Sequence, residues 1–258
     1  MSLSIIILAG NEQEVIRDCL KSATFADEII VVLANSSDDT KKIIKSFKIP
    51  LKIIETQDEY NRNFSKWRNL GLKAATGDWL LYLDADERIT PELKSEIFFT
   101  INAINTTQLF NYYVIPRANH YLGKRVRFGG SYPDYVKRLY RRSNFSGYQG
   151  YLHEEPIVKG PPGYLKEDLL HYTHRDLTSM IQKTLIWTDM EAEALYQSKH
   201  PPVVWWRFIR MMFTKFWERF VRQQMWRDGT IGFISVIFEM FDTFIIYARL
   251  WEKQTHES

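Results

Sequence analysis

The first hundred residues alternate short apolar runs with longer segments of helical periodicity, and this alternation restricts the fold more than any other feature. Four runs, at 4–9, 28–33, 51–54 and 79–83, are rich in Ile, Val, Leu and aromatic residues. Between them, apolar residues recur three and four positions apart, as in amphipathic helices. Strands joined through helices form right-handed crossovers in a parallel sheet. The alternation therefore predicts an α/β fold.

After residue 110 the pattern changes twice. Aromatic-rich pieces broken by glycine and proline occupy 110–172, and they predict further strands and loops that make the sheet mixed. Three helices are predicted beyond them, at 177–197, 203–226 and 231–251. We therefore predict one α/β region over 1–175 and a helical extension over 176–258, with no long linker between them.

Composition excludes several classes of protein. The net charge of +3 is too small to indicate a nucleic-acid partner, and no nucleic-acid module is recognisable. Cys19 is the single cysteine, which excludes an intrachain disulfide and a multi-cysteine zinc site, and we expect it to be buried on a helix. The N-terminal apolar run has no basic segment before it. It is therefore interpreted as the first strand of a cytosolic protein rather than a signal sequence.

Two carboxylates one residue apart, Asp84 and Asp86, directly follow the apolar run at 79–83. The carboxyl ends of parallel strands form the edge at which open α/β sheets bind ligands. Oxygen ligands suit a hard cation such as Mg²⁺ or Mn²⁺, which completes its shell with water and phosphate oxygens. The pair therefore predicts a site for a divalent cation and a diphosphate.

Such a pair of aspartates also occurs in three other contexts. A calcium-binding EF-hand loop is rejected because Ile89 and Ser95 occupy the positions of its obligatory Gly and Glu. A phosphatase with a nucleophilic aspartate is disfavoured, since its motif normally lies near the N-terminus and does not continue as Glu87-Arg88. The third interpretation, a merely solvated strand end, is not excluded by the pair alone.

The neighbouring blocks make the pair more specific. The segments RNLG at 68–71 and ATGDWLLYLDADE at 75–87 resemble the central block of family 2 glycosyltransferases, which have the GT-A fold. SIIIL at 4–8 with NE at 11–12 resembles that family's first strand and turn, and ADEIIVV at 26–32 with SSDDT at 36–40 resembles its second strand and following helix.

Later blocks resemble one branch of that family, the lipopolysaccharide-core β-glucosyltransferases of the WaaE and LgtF kind. These blocks are LHE at 152–154, LLHY at 169–172 and DGTIGF at 228–233. The resemblance implies a metal-dependent, inverting transfer of a sugar from a nucleotide-diphosphate donor, foremost a UDP-sugar, to a lipid-linked or lipopolysaccharide-type glycan. Residues 1–175 would bind the donor and catalyse the transfer.

The resemblance and the positions of the residues together nominate a site. The expected catalytic base is Glu154, in preference to the adjacent Glu155. The expected metal ligands are Asp86, Asp84 and His171, for Mg²⁺ or Mn²⁺. The candidates for donor binding are Asn11, Glu12, Asn35, Asp38, Arg68, Asp84 and Lys183.

One position departs from the family pattern. Members commonly carry an aspartate immediately after the second strand to contact the nucleotide, and here the position is taken as Leu33, followed by Ala34 and Asn35. Either Asn35 or Asp38 makes the contact, or the donor nucleotide is bound differently. The alternative hypothesis is a catalytically impaired GT-A-like binding or scaffold protein at the membrane.

The segment 199–227 is basic and aromatic. It has seven Lys or Arg against one Glu, interleaved with Trp and Phe. Such a helix suits a membrane interface with anionic lipid, which predicts a protein peripheral to the cytoplasmic face of the cell membrane. Glu239 and Asp242 argue against a spanning helix at 231–250. The competing interpretation is a helical subdomain whose aromatic residues form a core.

Overall fold

The computed structural model describes residues 1–57, 63–103, 110–150 and 154–256. The chain divides into two compact units. The first consists of Met1–Arg117 and Tyr135–His171, and the second of Ala118–Asp134 and Tyr172–Ser258.

The described residues contain strands in the same order as the predicted alternation. In chain order they are β1 (Leu3–Ala9), β2 (Glu28–Ala34), β3 (Leu51–Thr56), β4 (Trp79–Asp84), β5 (Glu87–Ile89), β6 (Tyr112–Tyr121), β7 (Lys124–Arg125), β8 (Asp134–Arg141), β9 (Phe145–Gln149), β10 (Glu155–Val158), β11 (Gly163–Tyr164) and β12 (Leu169–His174). The α-helices are α1 (Ile16–Ala23), α2 (Thr40–Lys45), α3 (Phe64–Ala74), α4 (Pro91–Asn102), α5 (Leu177–Gln197), α6 (Trp205–Phe216) and α7 (Thr230–His256).

The main sheet has the order β3-β2-β1-β4-β8-β6-β12-β5. Strand β1 pairs in parallel with β2 and β4, and β2 pairs in parallel with β3. The later strands β8 and β12 pair antiparallel with β4 and β5. The predicted fold, a mixed α/β sheet with parallel N-terminal βα units followed by helices, is confirmed.

Both faces of this sheet are covered, which explains why its central strands are continuously apolar. All seven residues of β1 are buried, and Cys19 of α1 is buried as predicted. On the opposite face, α3 approaches β1 closely at Gly71, where a β-carbon would overlap the side chain of Ile6. The close packing of α3 positions Arg68, on the same helix, at the end of β4.

The start of α4 confirms the predicted capping residues. The Thr90 hydroxyl accepts the backbone N–H of Leu93 at 3.1 Å, and Pro91 is the first helical residue. The cap stabilises the start of α4 directly after β5, because it satisfies an amide that has no partner within the helix.

In the second unit, the hairpin that contains β7 is fastened by side chains from the C-terminal helical region. The Asp228 carboxylate accepts the backbone N–H groups of Arg127 and Phe128 at 2.9–3.2 Å. Arg219 donates to the Gly129 carbonyl at 2.5 Å and to Glu239 at 2.8 Å. The DGTIGF block therefore has a structural task within this unit.

The predicted single helix over 203–226 is wrong in its continuity. Helix α6 ends at Phe216, the next turn, Trp217–Arg222, is π-helical, and Met225–Asp228 is a short 3₁₀ segment. Gln224, between them, has φ of 57°, so the helix cannot continue through it. The apolar pattern runs on past this break, which is why periodicity did not reveal it.

Helix α7 is longer than predicted, and it is long and apolar enough to cross a membrane by length and composition. The two acidic residues in its apolar middle nevertheless have partners within the unit. Glu239 bonds Arg219, and Asp242 accepts the Thr184 hydroxyl at 2.6 Å. Burial raises the pKa of Glu239 and of Asp242 despite these partners.

Candidate active site

Asp84 is the last residue of β4, and its carboxylate lies between two buried arginines. Its Oδ1 accepts from Arg68 Nη2 at 3.0 Å, and its Oδ2 accepts from Nη2 of Arg138 on β8. Burial alone would raise the pKa of Asp84, but the charges of Arg138 and Arg68 lower it well below its usual range. Asp84 is therefore ionised at neutral pH, with both oxygens engaged.

Arg68 joins Asp84 to Glu154. Its Nε is 2.9 Å from each Glu154 oxygen, and the guanidinium carbon lies over the Tyr148 and Tyr82 rings at 5.3 and 5.7 Å. Burial opposes the charge on Arg68, but the two carboxylates raise its pKa. The other two residues of the LHE block, Leu152 and His153, lie outside the described residues.

Asp86 and His171 lie side by side. Asp86 is in the turn between β4 and β5, and His171 is opposite Glu87 in the pairing of β12 with β5. Asp86 Oδ2 and His171 Nε2 are 3.5 Å apart, and both side chains are partly exposed. The sheet pairing thus converts a separation of 85 residues along the chain into a contact.

This pair fits a Mg²⁺ or Mn²⁺ ion that takes two protein ligands. Adjacent ligand atoms of an octahedral ion with bonds near 2.1 Å lie about 3 Å apart, close to the observed separation. Asp84 does not join them, since its oxygens face the arginines. Within the part of the chain that the structure describes, no group of three His, Cys, Asp or Glu side chains could hold a metal.

The predicted donor-binding residues of the first two βα turns meet at one edge of the sheet. Asn11 Oδ1 accepts the backbone N–H of Ser37 at 2.7 Å. Asp38 accepts the backbone N–H groups of Gln13 and Thr40. Burial raises the pKa of Asp38, but hydrogen bonds from the side chain and backbone of Thr40 and from the Gln13 backbone lower it overall. The Glu12 N–H donates to the Thr40 hydroxyl at 2.7 Å. Hydrogen bonds therefore connect the two turns and stabilise both.

Leu33 is not the residue after the second strand. Strand β2 extends to Ala34, and Leu33 is buried within it, opposite Ala9 of β1. The first residue beyond the strand is Asn35, whose φ of 51° is tolerated better by asparagine than by most residues. The position taken for the family aspartate thus lies within β2 and holds a buried leucine, and Asn35 and Asp38 stay the predicted candidates for the nucleotide contact.

Lys183 lies on α5 in the second unit. Its Nζ donates to the carbonyl and hydroxyl oxygens of Thr173, both at 2.9 Å. These two bonds are local to that unit, and the role of Lys183 in donor binding stays a prediction.

Sequence reasoning missed Arg138 and the role of Glu87. Glu87 is fully buried; its Oε1 accepts from Arg138 Nη2 at 2.7 Å, and its Oε2 accepts the Asp84 N–H at 2.9 Å. A signal existed, because Arg138 directly precedes the buried apolar residues Leu139 and Tyr140 of β8, where an arginine is unexpected.

Comparison with known proteins identifies the family of this chain. The model of the family described as "Glycosyl transferase family 2" matches residues 4–158, more than half of the 258-residue chain. The match includes Arg68, Asp84, Asp86 and Glu154. The protein is thus a glycosyltransferase by class. It belongs to glycosyl transferase family 2, with the GT-A fold that the resemblance implied.

Individual relatives are distant. The lipopolysaccharide core biosynthesis glycosyltransferase LpsC of Rhizobium meliloti (strain 1021) is 24% identical over 98% of this chain and 93% of its own length. The glycosyltransferase SunS of Bacillus subtilis (strain 168) is 30% identical over 58% of this chain and 34% of its own length. Among solved structures, S. aureus TarS 1–349 in complex with UDP-GlcNAc is 16% identical, with a TM-score of 0.45 over 100% of this chain and 93% of that chain.

Proposed function

We propose that this enzyme transfers a sugar, with inversion, from a nucleotide-diphosphate donor to a hydroxyl of a lipid-linked glycan. The observation that carries the proposal is the convergence of Arg68, Asp84 and Glu154 at the carboxyl end of β4. Residues 1–175 bind the donor and catalyse the transfer. Asn11, Asn35 and Asp38, at the edge of β1 and β2, contact the donor, which we take to be a UDP-sugar.

In this proposal Glu154 is the base that takes the proton from the acceptor hydroxyl. The two bonds from Arg68 Nε orient its carboxylate. Since Glu154 is a quarter exposed while Arg68 is almost fully buried, an acceptor can approach the carboxylate and not the arginine. The buried Arg68 guanidinium thus holds the partly exposed Glu154 carboxylate in place as the base.

Asp86 and His171 would hold a Mg²⁺ or Mn²⁺ ion. Such an ion supplies positive charge for the diphosphate that leaves as the glycosidic bond breaks. Asp84 stays with its arginines and contributes to donor binding through the position of Arg68, or through a bond to the ribose or to a metal-bound water.

The acceptor is proposed from two facts about the chain. LpsC, which matches almost the full length, is named for lipopolysaccharide core biosynthesis. The second unit also exposes apolar side chains at intervals of four residues along α6 and the following π-helical turn. These are Trp205, Ile209, Phe213, Trp217 and Val221.

We call these five residues the α6 stripe. Arg207, Arg210 and Lys215 lie on the same helix, and α6 contains no acidic residue. Aromatic rings beside cations suit the headgroup region of an anionic bilayer. The proposal is that this region, within 176–258, lies on the cytoplasmic face of the membrane and thereby reaches a lipid-linked acceptor.

A donor screen tests the proposed reaction. Purified enzyme is incubated with a panel of nucleotide sugars and a lipopolysaccharide-core acceptor, with Mn²⁺ or with excess EDTA, and release of nucleoside diphosphate is measured. One donor should be consumed, only in the presence of metal. Equal turnover in EDTA would contradict the metal role, and no turnover with any donor would contradict the proposed acceptor.

Vesicle flotation tests the membrane surface. Replacing Trp205, Ile209 and Phe213 together by Ser should reduce flotation with anionic vesicles by about tenfold or more, since exposed apolar area is removed. Phe99→Ser is the matched control, because Phe99 is equally exposed but lies on α4 in the first unit. Equal flotation of the triple variant and the control would refute this surface.

A further inference from the structure

A buried ion pair, Glu87 with Arg138, lies directly behind the proposed site. Glu87 is fully buried and the Arg138 side chain is 7% exposed. Arg117 approaches the same Glu87 oxygen at 3.5 Å. Together with Asp84, Arg68 and Glu154 these residues form a network of three carboxylates and three guanidiniums.

We infer that Glu87 and Arg138 are positioning residues that hold Asp84, and through it Arg68 and Glu154, in the geometry required for transfer. The inference rests on the proposed function, since it takes Glu154 as the base. It concerns two residues that would contact neither donor nor acceptor.

Glu87 and Arg138 both hydrogen-bond to Asp84, Glu87 at its main chain and Arg138 at its side chain. Glu87 Oε2 accepts the Asp84 backbone N–H at 2.9 Å, which closes the turn that carries Asp86. Arg138 Nη2 bonds the Asp84 carboxylate and, at 2.7 Å, Glu87 Oε1. Main chain and side chain of Asp84 are therefore fixed by one ion pair.

The constraint continues to the base. Asp84 Oδ1 is 3.0 Å from Arg68 Nη2, and Arg68 Nε is 2.9 Å from both Glu154 oxygens. The order Glu87, Arg138, Asp84, Arg68, Glu154 alternates in charge, so each member is attracted to the next. A displacement of Asp84 would thus shift the base.

Stability alone gives little reason for such a pair. Buried ion pairs lose hydration that their attraction barely restores, and apolar residues of similar volume often replace them without loss of stability. Apolar residues could not hydrogen-bond the Asp84 carboxylate, and so could not hold it, or through Arg68 the Glu154 carboxylate, in a fixed position. Replacement of the pair by apolar residues should therefore impair catalysis much more than stability.

The test removes both charges together. The variant Glu87→Met/Arg138→Met removes one charge of each sign and so leaves the net charge of the network unchanged. Its thermal unfolding midpoint should therefore stay closer to that of the wild type than the midpoint of Arg138→Met alone, which leaves the buried Glu87 without its main partner. Its dissociation constant for UDP with Mn²⁺, measured by calorimetry, should rise about tenfold, and its kcat should fall about 100-fold, the scale expected for a misplacement near 1 Å. The double replacement of Asp18 and Lys21 by Met, an exposed ion pair on α1, is the control and should change neither value.

Arg138→Lys provides a second, milder variant. It retains the charge but lacks the planar guanidinium, so it should fold and show an intermediate kcat. If the double variant does not fold, a wild-type kcat in Arg138→Lys with wild-type UDP affinity would overturn the inference. Wild-type binding and turnover in a stable double variant would overturn it equally.

A crystal structure of the double variant keeps this inference separate from the proposed function. If the wild type binds no UDP with Mn²⁺, the proposed function fails. The positioning role is then judged by geometry alone. Displacement of Asp84 from Arg68, or of Glu154 from Arg68, supports it; retention of both contacts contradicts it.

Discussion

Arg68 and Glu154 are 86 residues apart in the chain, and the Arg68 Nε is 2.9 Å from each oxygen of the Glu154 carboxylate. Arg68 comes from α3, on one face of the parallel half of the sheet, and Glu154 directly precedes β10. The contact joins the part of the fold that presents Asp84 to the proposed base at the start of β10.

The first prediction concerns the shape of the Arg68 guanidinium. Arg68→Lys keeps the positive charge but cannot bond Asp84 and Glu154 through separate nitrogens. The kcat should fall about 100-fold through loss of orientation, while thermal unfolding changes little. Arg142→Lys, at a residue whose Nη1 bonds the Thr76 carbonyl, is the control. Turnover that survives in Arg68→Lys would mean that charge alone suffices.

The second prediction concerns the two proposed metal ligands. Asp86→Asn and His171→Ala should each weaken the apparent affinity for Mn²⁺ by at least about tenfold, since each removes one of two protein ligands. The measurement is turnover as a function of Mn²⁺ concentration, supported by calorimetry of Mn²⁺ with UDP. Asp18→Asn, on the exposed face of α1, should leave the titration unchanged. An unchanged titration in both site variants would remove this pair as the metal site.

The third prediction follows from the lowered pKa of Asp84. In the unfolded chain an aspartate titrates near 3.9, whereas in the folded protein Arg138 and Arg68 hold the pKa well below that value against the effect of burial. The ionised group therefore stabilises the fold above about pH 4, and this contribution is lost as the pH falls further.

Thermal unfolding of Asp84→Asn checks the sign. The variant should unfold at a lower temperature than the wild type, by a constant difference between pH 6 and 8. The difference should narrow below about pH 4. A difference that widens as the pH falls would show that the network does not favour the ionised form.

The fourth prediction concerns the packing that positions α3. Gly71→Ala should destabilise the protein by about 1–3 kcal/mol, because the added methyl group meets Ile6 of β1. Lys73→Ala introduces alanine at an exposed position of the same helix and should be nearly neutral. Urea unfolding measures both. A Gly71→Ala protein as stable as the wild type would mean that α3 can shift outward without loss.

Much of the fold could be predicted from the sequence because its determinants are local. The first four strands were predicted to within two residues, since each is a short run rich in apolar residues that is followed by a segment of helical spacing. Thr90 and Pro91 predicted where α4 begins, because threonine is a typical N-cap residue and proline a typical first residue of a helix. The differences have identifiable causes. Strand β2 extends one residue beyond the predicted end at Leu33, because Ala34 is a weak strand signal. The π-helical turn after Phe216 leaves the apolar spacing undisturbed.

The candidate site could be predicted only in part. Asp84 and Asp86 were predicted because they directly follow an apolar run. Glu154 and His171 were predicted from the resemblance. Arg138 and the double role of Glu87 depend on the antiparallel pairing of β8 with β4, which brings distant residues together. Local patterns do not specify that pairing. The assigned roles of all these residues stay predictions until they are measured.

The most direct test of the central claim is Glu154→Gln, assayed beside Glu155→Gln. With the preferred donor, Mn²⁺ and a lipopolysaccharide-core acceptor, Glu154→Gln should lower kcat by about 10²–10⁴-fold, the range for a general base, while the dissociation constant for UDP changes little. Glu155 bonds the exposed Lys137, and its variant should retain turnover. Wild-type turnover by Glu154→Gln, or loss confined to Glu155→Gln, would contradict the assignment of Glu154 as the base.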